Sequence, residues 1–171
     1  MKTIKTLLMC AAIVGSGIAQ AQPTKEQLME DFSGPYIGFE AGLNISSSSG
    51  AINKPTHTTF FPGFVAGYGF NVGPVVLGAE AFLDLHHGSA SYKDAGIDAK
   101  IGYPIGRLMP YARLGAKVDY PGARFHYGLG LEYQFTKNAS VFTEWTGDSG
   151  NPKKTHWTNN DFTVGVNYRF N

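Results

Sequence analysis

Cysteine occurs once in this sequence, as Cys10, and that position falls inside an amino-terminal export signal. Lys2 and Lys5 supply a basic start, Leu7 to Ile18 an apolar stretch, and Ala19-Gln20-Ala21 a small-residue cleavage site. Residues 1–21 are therefore read as a cleavable secretory signal peptide and set aside from the fold. Met9 precedes the cysteine where a lipoprotein signal wants a small residue. A chain cut before Gln22 carries no thiol, which excludes a disulfide, a thiolate-ligated zinc and a cysteine nucleophile. Long hydrophobic runs are missing as well. The longest candidate, PVVLGAEAFL, is broken by Glu80 and falls short of the roughly 20 apolar residues of a spanning helix. Charge is scarce, at 16% against about a quarter in soluble domains, and the net value of +1 offers no field for nucleic acid.

What the sequence does hold is glycine, 22 residues, and 13% aromatics, arranged in alternation. In RFHYGLGLEYQF, residues 124–135, the odd positions are Phe, Tyr, Leu, Leu, Tyr and Phe, and the even ones Arg, His, Gly, Gly, Glu and Gln. A period of two over this length is a β-strand with one bulky apolar face. The same reading gives eight strands, at 36–45, 59–70, 75–86, 94–103, 108–118, 124–135, 139–146 and 162–170. Links such as SSSSGAINKPTHT and GDSGNPKKTHWTNN are long, and those such as NVG and TKN are short, with long links at one end of the sheet and tight turns at the other. Residues 22–34 stand apart as a lead-in without strand pattern, expected to be disordered.

The charged face decides which side is dry. It carries Glu40, Glu80, Asp84, Asp98, Glu132 and Glu144 together with Lys100, Arg113, Lys117, Arg124 and Arg169, interspersed with glycines. Small and ionic positions suit the narrow lumen of an eight-stranded barrel, and acids matched by bases can neutralise one another there. The opposite face is aliphatic in the middle and aromatic at both ends: Tyr68, Phe70, Tyr133 and Tyr168 toward the short turns, Phe60, Phe125 and Trp145 toward the long links. Two aromatic girdles around an aliphatic band fit a lipid-facing surface. The expected fold is all-β, an eight-stranded antiparallel up-and-down transmembrane β-barrel. It should occupy residues 35–171 of a bacterial outer-membrane protein, after a periplasmic segment at 22–34.

GPYIGFEAGLNI, near the start of the mature chain, resembles the first strand of the small outer-membrane β-barrel proteins, the OmpA transmembrane-domain, OmpX and opacity-protein group. The end, FTVGVNYRFN, from Phe162 to Phe170 and one residue beyond, is similar to the carboxy-terminal signal read by the barrel assembly machinery, although Asn171 follows the closing aromatic. The resemblance implies outer-membrane lipid, lipopolysaccharide and that machinery as partners.

Candidate chemistry is thin. His86 and His126 share the charged face near the long-link end with Asp84, but their strands are far apart around the sheet and metal-ligand spacing is missing, so no metal and no cofactor is expected. Ser89, Ser91, His87 and Asp94 lie near one another without an acyl-hydrolase motif. The last link brings together Lys153, Lys154, His156 and Trp157, a contact surface for lipopolysaccharide phosphates or for a host or matrix ligand. The functional expectation is a non-enzymatic, monomeric structural or surface-interaction protein. A small porin-like channel and a lipid A acyl-modifying enzyme are the alternatives.

Overall fold

A computed structural model describes residues 32–51, 53–86, 93–119, 122–150 and 154–170. Eight strands follow in order: β1 Gly34–Gly50, β2 Lys54–Val72, β3 Val75–Asp84, β4 Asp94–Gly102, β5 Leu108–Asp119, β6 Gly122–Gln134, β7 Ala139–Gly150 and β8 Thr155–Arg169. Each pairs antiparallel with the next, and β1 pairs with β8 to close the barrel. Closure leaves the membrane-spanning sheet without an edge, which hydrocarbon requires because it offers no hydrogen-bond partner to a free N–H or C=O.

The alternation read in the sequence becomes an inside-out molecule. Ile97 is 68% exposed and Leu129 61%, whereas Lys117 and Glu132 are completely buried. Exposed apolar side chains cover the outside of seven strands, with Val141 and Trp145 half-buried on β7, far more than a soluble monomer presents to water. Rings pair along the girdles, Tyr68 with Phe70 and Tyr168 with Phe170 toward the inner end, Phe125 with Tyr127 and Tyr127 with Trp145 toward the outer.

At the inner end the strands are joined by tight turns. Val72 pairs with Val75 across Gly73-Pro74, and Ile105 bridges Leu108 across Gly106-Arg107. Gly73 and Gly106 take positive φ, 60° and 65°, at the first central position, where a side chain would be strained.

Three features differ from the sequence reading. First, the two outer links read as long are short. β1 and β2 contain 17 and 19 residues, and β7 and β8 run on to Gly150 and from Thr155, so most of both supposed long links is strand. The asymmetry between the two ends lies in strand length. Polar residues that leave the bilayer lose the greasy face, and with it the alternation that marks a strand. Second, the inward face is not only small and ionic: Tyr36, Phe61, Phe82, Tyr111 and Phe142 are buried inside. Each stands in register beside a glycine on a neighbouring strand, in the pairs Tyr36–Gly67, Phe61–Gly42, Phe82–Gly96, Tyr111–Gly130 and Phe142–Gly165. A Cβ on any of these glycines would overlap the ring lying across it. Glycine and aromatic together thus fill the space of two ordinary side chains while keeping the lumen narrow. Third, the end of the lead-in enters the barrel, residues 22–31 lying outside the described residues. Phe32 is 1% exposed, packs with Val76, Met109 and Tyr111 at the inner mouth, and lies under the Arg169 guanidinium, 5.4 Å from its ring centre.

Candidate functional site: the charged lumen and the outer rim

All eleven charged positions of the polar face project into the lumen and are buried. They form layers set by register. At the inner level Arg169 Nη1 lies 2.6 Å from Glu132 Oε1, and Ser140 donates to the same oxygen at 2.5 Å. Glu80 accepts from Tyr36 at 2.7 Å and from Lys100 at 2.9 Å, and the Lys100 ammonium sits 4.1 Å from the centre of the Tyr111 ring. In the middle, Arg113 reaches Glu80 at 3.0 Å, Asp98 at 2.6 Å and Glu144 at 2.6 Å. His126 approaches Asp98 at 2.8 Å, and Tyr111 donates to Glu144 at 2.8 Å.

The outer level contains acids that the sequence reading did not place in the network. Lys117 lies 2.8 Å from Asp94, 3.3 Å from Asp148 and 3.3 Å from Asp161. Arg124 pairs with Asp148 at 2.9 Å, and Asn44 donates to Asp161 at 2.5 Å. Asp148 and Asp161 were hidden because they fall in, or at the end of, the stretch that reads as a loop. Their parity becomes visible only once β7 and β8 are known to continue. With them the described lumen holds nine carboxylates against five cationic side chains. The matched balance expected from sequence is therefore an acidic excess, concentrated in the outer half.

Packing narrows the passage at its inner end. The space left at the inner end, between Phe32, Tyr36, Lys100, Met109, Glu132 and Arg169, measures about 20 Å³, room for one water.

The remaining candidates scatter. Of the acyl-hydrolase set, Asp94 is turned inward onto Lys117, while His87, Ser89 and Ser91 lie outside the described residues. His86 and His126 do not meet; each approaches an acid, Asp94 and Asp98 respectively. Of the last-link set, Lys153 lies outside the described residues, Lys154 and His156 are exposed, and Trp157 is buried at 8% on the inward face of β8. Trp157 and His156 are consecutive strand residues and point to opposite sides. Exposed Lys54 and His57, on the polar end of β2, join Lys154 and His156 at the outer rim.

An inside-out closed barrel with a polar, packed lumen is the architecture of an outer-membrane protein, and the sequence matches the family described as outer membrane protein beta-barrel domain over residues 8–170. The chain belongs to this family. Among solved structures the barrel resembles Neisserial surface protein A, with TM-score 0.59 and 18% identity over 81% of this chain and 98% of that one. It also resembles Ail, the attachment invasion locus protein of Yersinia pestis, with TM-score 0.51 and 14% identity over 80% of this chain and 99% of that one. A second structure of Ail, in complex with the heparin analogue sucrose octasulfate, gives TM-score 0.50 at 15% identity over 80% and 99%. At these identities the likeness is one of fold. No curated protein matches the sequence.

Proposed function

We propose that this protein is a non-enzymatic surface-interaction barrel of the bacterial outer membrane, which contacts anionic glycans through strand ends that stand clear of the lipid. The observation that carries the reading is strand length. A tilted strand crosses the bilayer in about 9–11 residues, yet β1 has 17 and β2 has 19. The surplus lies at the outer end, beyond Phe60 and Phe162 of the aromatic girdle, and it is polar. It presents Lys54, His57, Lys154 and His156 to solvent, with Lys153 adjacent in sequence, and no acid on the described ends of β1, β2, β7 and β8 is exposed. Sulfate or phosphate on a sugar chain is the chemistry this rim fits, since ammonium groups attract such anions strongly at low ionic strength. The Ail structure with a heparin analogue supports the same direction for a barrel of this shape. The packed lumen supports a role on the outside rather than through the middle.

Two further assignments belong to this reading. Residues 1–21 serve as the cleaved export signal, and the closing strand from Phe162 to Phe170 is what the barrel assembly machinery reads.

The test is retention on immobilised heparin and on lipopolysaccharide, with dephosphorylated lipopolysaccharide as a third arm. The double variant Lys54→Glu/Lys154→Glu should lose binding at least tenfold, and wild-type binding should fall as salt rises. Retention that ignores both changes rejects the rim as the contact surface. The heparin and lipopolysaccharide arms separate a sulfated glycan from lipid A phosphate.

A further inference from the structure

The acidic excess in the outer lumen has a focus. Glu40 on β1 stands opposite Gly63 on β2, Gly63 opposite Asp84 on β3, and Asp84 opposite Asp94 on β4. The register thus sets three carboxylates on one level, with only a glycine between the first and second. A Cβ at Gly63 would strike Asp84 Oδ1 and lie 2.9 Å from Glu40 Oε1, so both carboxylates lean over that gap. His86, two residues beyond Asp84, projects to the same side, its ring held against Phe61 at 4.2 Å between centroids.

These four side chains are buried, and their polar atoms are not used up. Glu40 Oε2, Asp84 Oδ1, Asp94 Oδ1 and His86 Nδ1 have no hydrogen-bond partner. His86 Nε2 lies 3.3 Å from Asp94 Oδ2 without hydrogen-bond geometry. Among the described residues the Lys or Arg paired with this cluster is Lys117, through Asp94, and it is shared with Asp148 and Asp161. Carboxylates facing one another away from water are stabilised by a cation or a shared proton between them. One ligand atom each from Asp84, His86 and Asp94 lies within 4.8 Å of the others, the spacing of donors around one ion at about 2.0–2.4 Å.

We propose that Asp84, His86 and Asp94, with Glu40 as fourth donor, form a binding site for a divalent transition cation in the outer half of the lumen. An imidazole with carboxylates and no thiolate suits Zn²⁺ or Mn²⁺; Ca²⁺ and Mg²⁺, which take oxygen donors, have no use for His86. The sequence shows Asp84 beside His86 on one face but conceals Asp94 and Glu40, which register brings in from other strands. The site is independent of the rim and of the proposed glycan contact.

The experiment uses the full chain, folded in detergent micelles and treated with chelator, then titrated with Zn²⁺ by calorimetry, with Ca²⁺ as the comparison ion. One Zn²⁺ per chain is expected, at least tenfold tighter than Ca²⁺. His86→Ala and Asp84→Asn should each weaken Zn²⁺ binding at least tenfold, and His57→Ala/His156→Ala, on the exposed rim, should leave it unchanged. Heat-modifiable gel mobility checks that each variant is folded. Glu40→Gln, which removes a charge at constant shape, is the variant to read if His86→Ala fails to fold, and it should weaken binding severalfold. Absence of stoichiometric Zn²⁺ in the wild type overturns the proposal, as does binding indifferent to His86 and Asp84, or binding lost with the rim histidines.

Discussion

Removing the Arg113 guanidinium takes a cation from three buried carboxylates at once, those of Glu80, Asp98 and Glu144, of which Glu80 keeps Lys100. Breaking a buried pair by deleting one partner costs about 3–5 kcal/mol, because the remaining charge keeps its desolvation penalty and loses its compensation. Arg113→Ala should therefore lower the stability of the barrel by about that amount, read as the midpoint of urea unfolding from lipid vesicles. A loss below about 1 kcal/mol would mean that the inner and middle levels do not act as one network. At this scale the sequence was legible where charge and parity coincide: Glu80, Asp98, Arg113 and Glu132 point inward as their alternation dictates. It was not legible for Phe61 and Phe82, whose apolar side chains on the polar face make sense only beside Gly42 and Gly96 of the neighbouring strand. Parity assigns a face to a residue; it does not tell which residue across the strand gap lends the space.

Strand ends follow another rule from strand middles. Inside the bilayer, every outward position must be apolar, so the pattern is strict and the element can be read. Above it the outward positions turn polar as well, and SSSSG and KPTHT continue as β1 and β2 by pairing alone, with a register shift between Ser46 and Ser48. The extension should be separable from the membrane part. Ser46 pairs with His57, so replacing residues 47–56 by Asn-Gly joins the two strands through a two-residue hairpin turn. The shortened protein should retain heat-modifiable mobility and its place in the membrane fraction, while losing retention on heparin with the loss of Lys54. A protein that no longer folds would show that the extension holds the barrel together.

For the whole molecule, the lumen acts as a core turned to polar use. Arg113 and Lys117 each serve three acids, Phe32 covers the inner mouth, and the residual space there admits about one water. Planar-bilayer recordings should therefore show no stable unit conductance for the wild type. Regular single-channel steps would restore the porin-like alternative and require that Phe32 and the Arg169–Glu132 pair move aside.

Sequence alone determined the inversion: with eight alternating segments, no thiol after Cys10 and no long apolar run among them, the bulky face had to meet lipid and the charged face had to be enclosed. The reason is local, since a period of two sorts side chains whatever the neighbouring strand contributes. Only the tertiary structure decided how far the strands rise above the membrane, which glycine each inward ring covers, and that Glu40, Asp84, His86 and Asp94 converge. Those outcomes depend on register around a closed sheet, and register brings together residues from different strands that no spacing along the chain records.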